Sequence, residues 1–123
     1  MVMLDANMIL RYVLNDNEKM ADIAENCITQ NHVLVTLEVI AEVVYVLGKV
    51  YSMERQNIAD VVRRFADLVE CQEGKVLYLA LDTYATHNLD FVDCLLYAYH
   101  KTYDVEIATF DKKLLKLLTD GER

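Results

Sequence analysis

The chain has 123 residues, 54% of them hydrophobic, and a formal net charge of −8; that suits one compact domain over residues 1–123 and leaves no room for a second. No apolar run reaches the roughly 18 residues of a membrane span. The start, Met1-Val2-Met3-Leu4-Asp5, meets an acid before any apolar stretch a secretory leader would need, so a cytoplasmic protein without a membrane partner is expected. The acidity weighs against a bare nucleic-acid binder, because phosphate contacts reward a basic surface. It is compatible with one if the acids gather at a cation site that reverses the local field, or if a basic protein covers them. Cys27, Cys71 and Cys94 are odd in number and far apart, which reads as reduced, buried thiols rather than a zinc site.

In chain order, Val2-Met3-Leu4 reads as a short buried strand and Ala6 to Leu14 as a helix. Asp16-Asn17-Glu18 opens a second helix that runs to about Gln30. After a turn at Asn31-His32, Val33-Leu34-Val35 is the second strand, and Thr36 caps a long helix that ends near Gly48 or shortly beyond. Apolar positions 58, 61, 62, 65, 68 and 69 predict a helix from Met53 to about Glu70, broken by Gln72-Glu73-Gly74. Val76 to Leu79 is the third strand candidate, followed by a short helix from Leu81 to about His87. Asp90 begins a helix that lasts to about Thr102, Glu106 to Thr109 is a fourth strand, and Asp111 caps a last helix through Leu118. Strands that alternate with helices and are themselves short apolar runs predict an α/β three-layer sandwich with a parallel sheet of 4–5 strands flanked by helices. Ligands of such sheets sit beyond the carboxyl ends of the strands.

Acids occupy those ends. Asp5 follows the first strand, and Asp111 lies two residues past Thr109 at the end of the fourth. Glu42 lies in Val39-Ile40-Ala41-Glu42-Val43-Val44-Tyr45-Val46-Leu47, apolar nearly all round, which predicts a deeply packed helix. A buried carboxylate there needs a partner, and Lys49 is about two turns away. Asp93 lies in a similar run, Phe91 to Tyr97. Two like charges about 4 Å apart repel by roughly 4 kcal/mol at an effective dielectric near 20, so gathered carboxylates imply a cation. Oxygen donors suit Mg²⁺ or Mn²⁺, and such a site suits phosphodiester hydrolysis. Each acid also has a plainer reading. Asp5 and Asp111 serve as helix N-caps, Asp90 and Asp93 as a capping pair, and Glu38, one turn before Glu42, as a first-turn acid and the substitute for Glu42.

Four stretches together resemble the PIN-domain family, and in particular the toxin of VapBC toxin–antitoxin pairs. They are Leu4-Asp5-Ala6-Asn7-Met8-Ile9-Leu10-Arg11-Tyr12, Ala41-Glu42-Val43-Val44-Tyr45-Val46-Leu47, Asp90-Phe91-Val92-Asp93-Cys94-Leu95-Leu96-Tyr97-Ala98 and Ala108-Thr109-Phe110-Asp111-Lys112-Lys113. The resemblance implies an endoribonuclease dependent on one or two Mg²⁺ or Mn²⁺ ions, with Asp5, Glu42, Asp93 and Asp111 as the catalytic acids and Asp5, Asp93 and Asp111 as metal ligands. It implies that Asn7 and Thr109 orient those acids and that Asp90 stands at the site's edge. It also implies a homodimer and a cognate antitoxin whose tail reaches the active-site groove. Members often add a strand after the last helix, for which this chain has only Thr119 to Arg123.

Arg11, Lys112 and Lys113 are candidate contacts to RNA or antitoxin, or plain solvated side chains. Arg63 and Arg64 read as solvated. His100 lies seven residues after Asp93, which allows the same helix face, but the spacing of the histidines matches no nucleophile or metal motif; some of the eight tyrosines, among them Tyr45, Tyr51, Tyr97 and Tyr99, suit half-buried interfaces. Two other functions compete. One is a catalytically silent PIN-type module that binds protein or RNA. The other is a phospho-accepting receiver or Asp-nucleophile phosphatase, which fits poorly because the position two after Asp5 is Asn7.

Overall fold

The computed structural model describes residues 1–120. Its elements are β1 (Val2–Met3), α1 (Ala6–Leu14), α2 (Glu18–Gln30), β2 (Val33–Val35), α3 (Leu37–Lys49), α4 (Arg55–Ala66), β3 (Glu70–Cys71), α5 (Gly74–Thr86), α6 (Phe91–Tyr103) and α7 (Lys112–Asp120). The three strands form one parallel sheet in the order β1-β2-β3, with Val2 opposite Val33 and Leu34 opposite Glu70. The expected α/β class with a short, helix-flanked parallel sheet is therefore present, with three strands rather than 4–5 among the described residues. A strand after the last helix would fall at residues 121–123, outside the described residues, as does the end of the expected 1–123 domain.

Two of the expected strands are corrected. Val76 to Leu79 lies inside α5, where Val76, Leu77, Ala80, Leu81, Thr83 and Tyr84 are buried at helical spacing. A short apolar run looks the same in a buried strand and a buried helix, and here the run continues to thirteen residues with 3.6-residue periodicity. The third strand is Glu70–Cys71, because α4 stops at Ala66 and frees the chain to pair with β2. Glu106 to Thr109 forms no strand, since no neighbouring strand meets it among the described residues.

The core runs through every layer. Ile40, Val43, Val44 and Leu47 of α3, Ile58, Val62 and Phe65 of α4, and Leu77 and Leu81 of α5 are almost wholly buried. Side chains of α1, α3 and β2 join them in one cluster. Ile40→Ala should therefore cost about 2–5 kcal/mol, seen as a fall in the urea midpoint with an unchanged slope; a loss under 1 kcal/mol would contradict this packing.

Helix ends explain the local geometry. Asp5 Oδ1 accepts the Met8 N–H at 2.9 Å to start α1, and Asn15 ends it in the left-handed conformation. Asn17 caps α2 by accepting the Met20 N–H at 3.0 Å. Thr36 stands at the N-cap of α3, but its hydroxyl makes no capping bond. The cysteines are free thiols, Cys94 buried and Cys27 and Cys71 only half-buried. Burial pushes the Cys94 thiol up to about 12 and the Cys71 thiol to about 11, so neither is a ready nucleophile.

Candidate active site

The sheet is parallel, so the carboxyl ends of its strands share one edge. Asp5 stands just past β1 at that edge, and α3 starts just past β2. Asp111 starts α7, accepting the Leu114 N–H on Oδ1 at 2.8 Å, while its own N–H donates to Thr109 Oγ1 at 3.0 Å. Asp5 and Asp111 are thus both caps, as the plainer reading held. A carboxylate has two oxygens, so capping occupies half of each.

Asp90 and Asp93 behave differently. Asp90 is the N-cap residue of α6 by position, yet its side chain makes no capping bond. The capping-pair reading therefore fails for Asp90. Asp93 is half-buried in the first turn of α6. Desolvation first, then the neighbouring charges of Asp111 and Asp90, raise its carboxyl above the ordinary range. Asp93 thus lies in the field of two other carboxylates, Asp111 at the start of α7 and Asp90 three residues before Asp93 itself. Among the described residues none of Asp5, Glu42, Asp90, Asp93 and Asp111 is ion-paired with Lys, Arg or His; the ion pairs found there are Arg11–Asp16, His32–Glu70 and Arg63–Asp82.

Glu42 requires a correction. It is exposed, not buried. α3 buries Leu37, Ile40, Val43, Val44 and Leu47, which leaves Glu38, Glu42, Tyr45 and Lys49 along its outer stripe. The apolar run hid this because a helix packed on several sides still has one open face. Glu42 therefore has no burial for a cation to offset; it stands on the open face of α3.

A groove of about 530 Å³ runs between α3, the start of α4, the end of α5 and the start of α6. Asp90, Asp93, Tyr45, Lys49 and Arg55 line it with several apolar side chains. Asp5 lines a different, smaller groove of about 190 Å³ with Asn7, Met8, Arg11, Met20 and Ile23. Asp90 and Asp93 thus share one groove, Asp5 opens onto the other, and Asp111 lines neither. Among the described residues no three Asp, Glu, His or Cys side chains are gathered closely enough to chelate an ion as they stand. In donor chemistry the set fits a hard divalent cation: carboxylate oxygens, none ion-paired with a base among the described residues.

Sequence reasoning missed Arg55. Its Nε donates to the Tyr84 carbonyl at 2.8 Å, a terminal nitrogen donates to the Leu89 carbonyl, and its guanidinium lies 3.8 Å from the centre of the Tyr84 ring. It thereby ties the start of α4 to the loop that leads into Asp90. Its acceptors lie 29 and 34 residues away, so no local pattern could signal the role. Arg11 is partly committed: it reaches Asp16 at 3.1 Å and the Tyr51 hydroxyl at 3.3 Å, with its buried Nε unpartnered among the described residues. Arg63 is not merely solvated, since it lies 4.9 Å from the Tyr78 ring centre and pairs with Asp82, while Arg64 is exposed. Lys112 and Lys113 are exposed at the start of α7. The His100 Nδ1 meets the Val105 carbonyl at 2.8 Å. Tyr45 and Tyr51 are exposed, Tyr97 and Tyr99 half-buried.

The profile of the PIN domain matches residues 2–118, nearly the whole chain. The chain belongs to the PIN-domain family. No curated protein and no solved structure matches it. The PIN domain is a nuclease-type fold, generally that of a hydrolase acting on nucleic acid with divalent metal. Membership sets aside the receiver and phosphatase readings. No helix of this PIN domain is long and apolar enough to cross a membrane, among the described residues.

Proposed function

We propose that this PIN-domain protein is an Mg²⁺- or Mn²⁺-dependent endoribonuclease, acting in the cytoplasm as the toxin of a toxin–antitoxin pair. The observation that carries the nuclease reading is Asp93, which lines the groove with Asp90, lies in the field of Asp111 and Asp90, and has no ion-pair partner among the described residues. Asp5, Asp93 and Asp111 would hold the metal, with Glu42 completing the catalytic acids. Bound there, one or two ions would supply an acidified water and neutralise charge on the scissile phosphate. The chain's own part is positioning. Thr109 Oγ1 pins the backbone of Asp111. Asn7 flanks Asp5 in the smaller groove. Asp90 stands free of the helix end, and Glu42 on its open face is available to take a proton from water. Lys112 and Lys113, and Arg11 beyond its present partners, would meet RNA phosphate or antitoxin.

The toxin role, the homodimer and the antitoxin follow from the resemblance of the four motifs. The exposed Tyr45 and Tyr51 suit a protein interface. A small adjacent reading frame with a DNA-binding head and an Arg-bearing tail, co-purifying with this chain, is the check on that role.

Purified protein should cut RNA with Mg²⁺ or Mn²⁺ and stop on chelation. Asp5→Asn should reduce the rate by about a hundredfold or more without altering the circular dichroism spectrum; full activity in that variant, or after chelation, would remove the metal site. The second reading, a silent PIN-type module, draws on the dispersal of the acids, since no three are gathered to chelate among the described residues. Calorimetry with Mn²⁺ separates the two, because a silent module takes up no ion.

A further inference from the structure

Three phenylalanines occur in this chain. Phe65 and Phe91 are buried at 1% and 6% exposure, whereas Phe110 is exposed to 102% of its reference area. A lone exposed apolar side chain means little by itself. Its place gives this one meaning. It lies between Thr109 and Asp111, whose mutual bond of 3.0 Å, with the Asp111–Leu114 cap at 2.8 Å, fixes the backbone on both sides. Asp111 in turn is the largest neighbouring charge acting on Asp93. The two residues that follow, Lys112 and Lys113, are exposed cations. The chain thus presents, in four consecutive residues, a bare ring, a candidate metal ligand and two phosphate-seeking amines.

We propose that Phe110 is a stacking platform that holds an unpaired nucleobase next to the phosphate to be cut. The inference rests on the nuclease reading above and adds a substrate form to it. A duplex buries both faces of every base, so a ring can stack only on a base that is unpaired or splayed out. An aromatic ring serves any base, because each has a π-face, so the platform selects strandedness more than sequence. Phe110 touches no catalytic chemistry; it sets where the backbone lies relative to Asp93 and Asp111. The lysines alone would bind single strands and duplexes alike through phosphate.

The test uses short RNAs that the wild-type protein cuts with Mn²⁺, each with one abasic nucleotide stepped along the flanks of the cleavage site. Phe110→Ala should lower kcat/KM by about five- to a hundredfold, the range that loss of one stacked base spans, while Phe110→Tyr stays near wild type. One abasic position should cost the wild type a similar factor and cost Phe110→Ala nothing further. Equal activity of Phe110→Ala and wild type overturns the proposal, and so does an abasic penalty that is the same in both at every position. The first of these is also what a protein-docking role for the ring would give. The chain contains no tryptophan, so Phe110→Trp provides a single reporter. Its emission should be quenched by single-stranded RNA and not by duplex of equal charge. Quenching without cleavage would reject the nuclease reading and keep the platform; cleavage without quenching would do the reverse.

Discussion

Asp93→Asn should do two opposite things: abolish RNA cleavage, by at least about a hundredfold, and raise the melting temperature of the metal-free protein at neutral pH. Both follow from one arrangement. Desolvation, Asp111 and Asp90 push the Asp93 carboxyl above its ordinary value of 3.8, so the folded state holds that proton more tightly than the unfolded chain does. For a group raised on folding, the unfolded state binds fewer protons in the window between the two values. Stability therefore falls as pH rises from about 3.8 through the raised folded value, and the cost is fully present above it. Amide substitution removes that cost. Thermal melts of both proteins in chelator, from acid to neutral pH, should diverge as pH rises, with the variant the more stable. Added Mn²⁺ should then stabilise the wild type, by about 2.7 kcal/mol at a hundredfold excess over Kd, and leave the variant unchanged. A variant that melts lower at neutral pH, in chelator, would mean that Asp93 is a structural acid.

Arg55→Met should be the most damaging substitution of a residue outside the core. Methionine preserves much of the aliphatic stem but leaves the Tyr84 and Leu89 carbonyls without their charged donor and removes the cation over the Tyr84 ring. Hydrogen bonds to a charged group are worth about 1.5–3 kcal/mol each. Because they share one side chain, about 2–4 kcal/mol together is expected, read from urea unfolding. Arg55→Lys should not rescue it, since an ammonium cannot serve two carbonyls in a fixed fork and stack on a ring at once. Cleavage should also fall at temperatures where the variant stays folded, because Leu89 directly precedes Asp90 and small shifts at a reacting centre cost large factors in rate. Normal kcat in a folded Arg55→Met protein would separate that loop from the active site.

The candidate site was legible in the sequence where local chemistry repeats itself. Asp5 and Asp111 could be placed at helix starts, because caps are short-range features, and both cap there; Asp5 also follows a strand, whereas the strand expected before Asp111 does not form. The capping alternative for Asp90 could be dismissed only in three dimensions, where its carboxylate makes no bond to the helix. Glu42 failed in the opposite direction. Its neighbours are apolar on both sides, but burial is a property of a helix face, and the face that carries Glu38, Glu42 and Tyr45 is exposed. Phe110 drew no attention in a motif read for its acids, since exposure cannot be seen in a string of letters.

What the sequence determined by itself was the class of the protein. Alternating short apolar runs and amphipathic segments dictate an α/β fold, and capping side chains mark where α1, α2 and α7 begin, because both effects act within a few residues. Tertiary structure decided which apolar run becomes the third strand. Val76 to Leu79 and the segment at Glu70–Cys71 compete for the edge of β2, and the helix wins the first because its buried face extends over thirteen residues and fills the core beside α4 and α6. Tertiary structure also decided which acids share a field. Asp93 enters the field of Asp111 through the packing of α6 on α7, and Arg55 fixes the loop before Asp90 across some thirty residues of chain. Charges interact through space, so their grouping is settled only when the chain has closed on itself.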